Sequence, residues 1–173
     1  KVVNQIAPHY SGLQGFVFPA VVENYGLDHF ELSMEVLHHI TRYSTGEFAI
    51  RPFLLQYPKT WSYINQWKKD DNEHVRRLAS EGCRPLLPWG LKLHPLVENP
   101  SPIFPVLDTL FYDDSEYVRK SVANNLNDIS KHHPDRVKAF VKNHSPQHTR
   151  QERIIAHGLR TLLKKGDAEA YPI

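Results

Sequence analysis

Apolar positions in the chain recur at helical spacing, and no stretch shows the alternation of a half-buried strand. Residues 1–19 contain turn residues without a clear period, so an ordered extension or the remnant of an earlier helix is expected there. Residues 20–25 read as a short helix stopped by Gly26. Asp28 is the expected N-cap of the next helix, in which Leu32, Val36, Leu37 and Ile40 recur at helical spacing. Ser44 or Thr45 is expected to cap EFAIRPFLLQY (residues 47–57), where Pro52 is compatible only with a first turn or a kink, and Pro58 ends that helix. Residues 60–67 set Trp61, Ile64 and Trp67 on one face, and the Asp70-Asp71-Asn72 turn leads into a helix from about Glu73. Pro85 disfavours the helical conformation at Arg84, so this helix should stop near Gly82 and leave Glu81 at its end.

Residues 83–100 carry Pro85, Pro88, Pro95 and Pro100 and should be irregular, with one short helical piece around Leu91. Helices are predicted over residues 103–110, over 115–131 behind an Asp113-Asp114-Ser115 turn and cap, over 134–142, and over 150–165, the last ending at Gly166. The pattern is all-α. Val-Arg recurs after an acidic turn at Val75 and Val118, 43 residues apart, a period in the range of HEAT-type helical repeats. Stacked repeats of that kind build a curved α-α superhelix, a solenoid with a concave face. The helices that carry the two Val-Arg pairs should then be adjacent and roughly parallel, as equivalent members of successive repeats, within one domain spanning residues 1–173.

Two stripes share the helix over residues 115–131. Val118, Val122, Leu126 and Ile129 form an apolar one that packs inward. Beside it run Ser121, Asn124, Asn125 and Asp128, residue types that a solvated helix face rarely favours, since asparagine costs several tenths of a kcal/mol of propensity relative to alanine. This second stripe reads either as the lining of a groove or as a hydrogen-bond ladder between helices. Glu81, Arg84 and Trp89 combine an acid, a cation and a large aromatic within one bend: either a ligand-facing cluster or an ion pair beside a core tryptophan. On the last predicted helix, Arg153, His157, Arg160 and Lys164 lie opposite Ile155, Leu159, Leu162 and Leu163, which suits phosphate contact or a solvated face.

Composition narrows the classes. The formal charge of +2 and a pI near 8.6 do not by themselves mark a nucleic-acid binder, so charge distribution must decide. No apolar run approaches the roughly 20 residues needed to cross a bilayer. The single cysteine, Cys83, excludes an intramolecular disulfide, favours a reducing compartment and is expected to be inert. Eleven histidines invite a metal reading, but His38-His39 and His132-His133 lack companion ligands at sensible spacing, and no metal site or cofactor is expected.

EFAIRPFL at residues 47–54, VRRLASEGCRPLLPW at 75–89, YVRKSVANNLNDISK at 117–131 and HGLRTLLKKGD at 157–167 together resemble the AlkC branch of the AlkC/AlkD-like DNA glycosylases, the DNA alkylation repair enzymes. The likeness runs from about Leu27 to Asp167 in the order the family shows. It implies a HEAT-like solenoid whose concave face holds double-stranded DNA, and hydrolysis of the N-glycosidic bond of small alkylated purines, chiefly 3-methyladenine, without a cofactor. By motif it puts Glu81 and Asp128 at the lesion, with Asp128 stabilising an oxocarbenium-like sugar and Glu81 assisting at the base or the water. Arg84 and Trp89 would hold DNA and shape the pocket, and Asn124, Asn125, Arg153, His157 and Arg160 are the expected further DNA contacts. A cytoplasmic monomer, drawn to the nucleoid by its function, is the corresponding expectation. The competing reading is a HEAT-like module that binds DNA or a protein partner without chemistry.

Overall fold

The computed structural model describes residues 2–10, 12–144, 146 and 149–170. Among them occur the helices α1 (Val2–Ile6), α2 (Val17–Tyr25), α3 (Phe30–Thr41), α4 (Ile50–Gln56), α5 (Thr60–Trp67), α6 (Glu73–Glu81), α7 (His94–Glu98), α8 (Phe104–Leu110), α9 (Glu116–Ser130), α10 (Pro134–Asn143), α11 (Thr149–Gly158) and α12 (Arg160–Lys164), with short 3-10 turns and no strand. None of these helices is long and apolar enough to cross a membrane.

The Val-Arg recurrence is a repeated structural device. Asp70 Oδ1 accepts from the Asn72 N–H, and 43 residues later Asp113 Oδ1 accepts from the Ser115 N–H. Arg76 then folds back to donate to the carbonyls of Asp70 and Asp71, as Arg119 does to those of Asp113 and Asp114. The two units are also tied to each other. Arg76 grips the Asp113 carboxylate through Nε and Nη2 at 2.7 and 3.0 Å, a two-point bond that a guanidinium makes and an ammonium cannot. Near their starts, Glu73 accepts from the Ser115 hydroxyl and the rings of His74 and Tyr117 meet edge to face; at the far end Ser80 and Glu81 of α6 meet Ser121 of α9. Helices α6 and α9 therefore lie side by side and run the same way, as the recurrence predicts. Below them, Val118, Val122, Leu126 and Ile129 are buried with Val75, Leu78, Leu37, Ile40 and Ile50, each contributing roughly 1.5–3 kcal/mol by leaving water.

Local corrections have local causes. α3 is capped at His29 without a side-chain bond rather than by Asp28, and its inward face is Phe30, Ser33, Met34, Leu37 and Ile40; Leu32 is 56% exposed. Ser33 is accommodated inside because its hydroxyl donates to the Gly26 carbonyl. α4 is regular only from Ile50, with Ala49 at its N-cap and no cap from Ser44 or Thr45: Pro52 has no N–H for the Phe48 carbonyl, so residues 47–49 form turns. The helical piece in the proline-rich segment is α7, with Pro95 in its first turn, and not around Leu91. The predicted helix over 150–165 is broken at Leu159, where ψ is −4°, after Gly158. Gly158 sits so close to α9 that a Cβ would stand 3.0 Å from that of Leu126.

Candidate active site

Gly82 ends α6, and the chain turns back through Pro85 toward Gly90, a path that brings Arg84 under α9. Its Nε donates to Asp128 Oδ2 at 2.9 Å and its Nη1 to Glu81 Oε1 at 2.6 Å. The Ser121 hydroxyl donates to the other oxygen of Glu81 at 2.6 Å, and Lys131 approaches Asp128 Oδ1 at 3.3 Å. Arg77 stands 3.6 Å from Glu81 and donates to Glu47 at 3.0 Å. One line of alternating charge thus runs from the turn before α4, across α6, to α9: Glu47, Arg77, Glu81, Arg84, Asp128, Lys131. Glu81, Arg84 and Asp128 are 5%, 7% and 3% exposed. Burial works against the charge of Arg84, but Glu81 and Asp128 outweigh it and hold the guanidinium above its ordinary pKa; Glu47 and Glu81 do the same for Arg77. Three carboxylates face two guanidiniums, and Lys131 reaches in only from the solvent edge.

Both acids and Arg84 are therefore together, and the ion pair, one of the two readings of Glu81 and Arg84, is present. Trp89 is not a core residue and does not join them. Its indole is 99% exposed and its φ is +61°, the one described non-glycine residue with a positive φ. A left-handed backbone at a bulky residue costs on the order of 1–3 kcal/mol and persists where surrounding structure imposes it. The indole face is therefore open to solvent.

The polar stripe of α9 divides between its two readings. Ser121 and Asn125 belong to an inter-helix ladder: Ser121 also meets the Ser80 hydroxyl, and Asn125 donates to the Ser80 carbonyl at 2.9 Å and lies 3.7 Å from Cys83 Sγ. Asn125 is 0% exposed, which corrects its expected place on a ligand surface; on a helix that packs against two others, the side chain one position beyond Asn124 points into the seam. Cys83 is buried in the same seam, where burial pushes its thiol up to about 12, so it supplies no nucleophile at neutral pH. Asn124 remains half-buried and its Oδ1 takes a 2.8 Å bond from His157 Nε2 of α11.

That contact opens onto a cleft of about 250 Å³ between α9 and α11, lined among others by Glu116, Lys120, Arg150, Arg153 and His157. Arg153 and Arg160 are exposed. Burial first, then Arg160, Lys120 and Arg84, press the His157 pKa down, so cations surround the imidazole from three elements. Lys120 and Arg150 were missed from the sequence, although Glu116, Lys120 and Asn124 at i, i+4 and i+8 extend the polar stripe one turn toward the N-terminus. Glu47 was missed as well, because nothing local in a turn signals a partner 30 positions away.

A model of the family described as DNA alkylation repair enzyme matches residues 43–156, the span from the turn after α3 to near the end of α11. The chain belongs to that family. Among solved structures, the DNA alkylation repair fold recurs in the Pseudomonas fluorescens alkylpurine DNA glycosylase AlkC bound to DNA containing an abasic site analog, 43% identical with a TM-score of 0.93 over 98% of this chain and 48% of that one. AlkD2 from Streptococcus mutans is 27% identical with a TM-score of 0.60, over 91% of this chain and 80% of its own. The protein YhaZ of Bacillus subtilis (strain 168) is 51% identical over 98% of this chain and 48% of its length. The chain thus spans about half the length of AlkC and YhaZ. Its stacked helices are the all-α, HEAT-like solenoid expected of the family. Among the described residues no group of three or more His, Cys, Asp and Glu is arranged to hold a metal ion; His38 is bonded to Asp70 and His133 to the Val97 carbonyl.

Proposed function

We propose that this chain carries the catalytic centre of an alkylpurine DNA glycosylase, which hydrolyses the N-glycosidic bond of small cationic purines, chiefly 3-methyladenine, in double-stranded DNA lying along the α6, α9 and α11 faces. The observation that carries this reading is the largely buried line of alternating charge Glu47, Arg77, Glu81, Arg84, Asp128, Lys131 set beside an exposed basic rim. Buried carboxylates are costly beside phosphates, and a cation arriving between them offsets that cost. The AlkC relative bound to DNA with an abasic site analog, a product-like state, supports the same direction.

The chemistry asks little of an acid. A 3-methylated adenine is already cationic; when the C1′–N bond breaks, the electron pair goes to the base, which leaves neutral, and the charge passes to the sugar. Arg84 pins Asp128 Oδ2, so Oδ1, whose partner is the solvent-edge Lys131, is the oxygen that can turn to the sugar cation and its attacking water. The water adds to C1′ and its proton leaves through that oxygen to solvent. Glu81, the last residue of α6, adds negative potential at the base. Lys120, Arg150, Arg153 and Arg160 take the phosphates, His157 lies among them, and Trp89 stacks on an exposed base or against the groove. A cytoplasmic monomer that meets the nucleoid through DNA completes the proposal.

The ion pairs also favour a second reading, in which Glu81, Arg84 and Asp128 serve stability alone and the chain binds DNA or a protein partner without chemistry. Release of methylated base from a methylated duplex, measured beside binding to the same duplex, separates the two. Release with turnover supports the glycosylase; tight binding with no release supports the binding module.

A further inference from the structure

Arg51 is the largest fully buried side chain described, and it lies outside the line of charge described above. Its Nη1 donates to the carbonyls of Gly82 and Arg84, each at 2.9 Å, and its Nε to the carbonyl of Leu91 at 2.5 Å. These acceptors are the first, third and tenth residues of the segment that begins where α6 ends. One guanidinium on α4 therefore ties together both ends of a loop whose start carries Arg84 and whose apex carries Trp89. The start of the segment is also held by Arg84 on Glu81 and Asp128 and by buried Cys83, but its far half has fewer ties: Pro85 and Pro88 remove N–H donors, Gly90 bonds to the Leu87 carbonyl and Leu93 to that of Pro85. Gly90 packs tightly, since a Cβ there would stand 3.1 Å from Leu87 Cδ2, 3.2 Å from Arg51 Nε and 3.3 Å from Arg51 Cδ, and these neighbours would have to give way slightly. Among the described residues no carboxylate hydrogen-bonds or ion-pairs directly with Arg51; Glu81 and Asp128 act on it only at longer range, its described bonds go to backbone carbonyls, and Nη2 has no described protein partner. An aliphatic residue would fill the core at lower cost, because burying an arginine without a directly paired carboxylate is expensive.

We propose that Arg51 is a positioning residue for the reaction, fixing the 82–91 loop so that the Arg84 guanidinium is held against Asp128 and Trp89 is held in its left-handed, outward conformation. The inference rests on the glycosylase reading for its consequence in rate and on the geometry alone for its consequence in loop order. Lysine can keep the charge but presents a point donor in place of a fork, so it can reach one end of the loop and not both. Loss of the tie frees Trp89 from its strained backbone and lets Arg84 pull Asp128 out of register.

The test compares wild-type protein with Arg51→Lys, Arg51→Met and Gly90→Ala. The last crowds the guanidinium from the loop side while leaving it in place. For each, single-turnover release of 3-methyladenine from a methylated duplex is measured per folded molecule, with affinity for undamaged duplex and acrylamide quenching of tryptophan with and without that duplex. Trp89 is 99% exposed while Trp61 is half-buried and Trp67 buried, so quenching reports chiefly on Trp89. The expected result is a fall in release of about 100-fold for Arg51→Met, the size a misplacement near 1 Å produces, with smaller falls for Arg51→Lys and Gly90→Ala. Affinity for undamaged duplex should stay within about two-fold, because phosphate contacts supply that affinity and the cationic rim is elsewhere. DNA should protect Trp89 from acrylamide in the wild type and less so in the variants. Release per folded molecule and Trp89 protection both unchanged, with only the melting temperature lowered, would overturn the proposal and leave Arg51 a purely structural residue. If the wild type releases no base, the glycosylase reading fails and the quenching arm alone decides Arg51: protection lost in both Arg51→Met and Gly90→Ala supports the tie, and protection retained overturns it.

Discussion

Arg84 and Trp89 lie five positions apart in one loop, one 7% exposed and the other 99%, and the sequence alone could not tell which of them was the buried one. Their types suggested a cluster; what separates them is long-range. Arg84 is claimed by an acid 44 positions away, and Trp89 is thrown outward by a backbone angle that no local propensity favours. Trp89→Gly should relieve that angle and leave the melting temperature equal or higher, while affinity for duplex containing an abasic analogue falls by roughly tenfold, the low end of one lost stacking contact. A lowered melting temperature with unchanged affinity would mean the indole packs on protein. Cys83 gives a second test at this scale. Its folded pKa of about 12 lies above the 9.0 of an unburied thiol, so its contribution to stability is complete below pH 9 and is lost as pH rises from there toward 12. The stability of Cys83→Ala should fall less steeply over that range, and wild-type Cys83 should react with thiol reagents at neutral pH only as fast as the fold opens.

Among elements, helices marked by a proline or an acidic turn were legible: α5, α6, α9 and α10 fall within a residue or two of their predicted bounds. Errors arose where a contact overrode the local signal. Ser33 is buried because the Gly26 carbonyl receives it, and the last helix breaks because Gly158 lets α11 approach α9. The amide stripe could not be apportioned in advance, since Asn124 and Asn125 are adjacent in sequence and only packing sends one to a cleft and the other to a seam. Gly158→Ala should destabilise the protein by roughly 1–3 kcal/mol through the clash with Leu126. Because Arg153 and His157 ride on α11, it should also weaken DNA binding more than an alanine at an exposed site such as Ala139 is changed to serine; equal effects would detach the α9–α11 seam from the binding face.

For the molecule as a whole, the 43-residue recurrence was enough to place α6 beside α9 and to reach the solenoid, because repeated sequence repeats its hydrogen bonds. The site was less legible. A net charge of +2 says nothing of how charge is placed: a buried line of alternating acids and bases lies apart from an exposed basic rim. Charge reversal of the rim at Arg160→Glu should weaken binding to any duplex sequence and flatten its dependence on salt; an unchanged slope would mark Arg160 as merely solvated. Asp128 is at once an ion-pair partner of Arg84 and Lys131 and the proposed stabiliser of the sugar cation. Asp128→Asn removes one counter-ion of buried Arg84 and should lower stability, by up to about 3–5 kcal/mol if Glu81 and Ser121 do not compensate. Melting temperature alone is therefore silent on catalysis. The decisive measurement is single-turnover release of 3-methyladenine by Asp128→Asn, per folded molecule and well below its melting temperature, beside its affinity for duplex carrying an abasic analogue. Release should fall by roughly 100-fold or more, the size of one lost electrostatic stabiliser, with that affinity largely kept; release at the wild-type rate from the folded variant would contradict a catalytic role for Asp128.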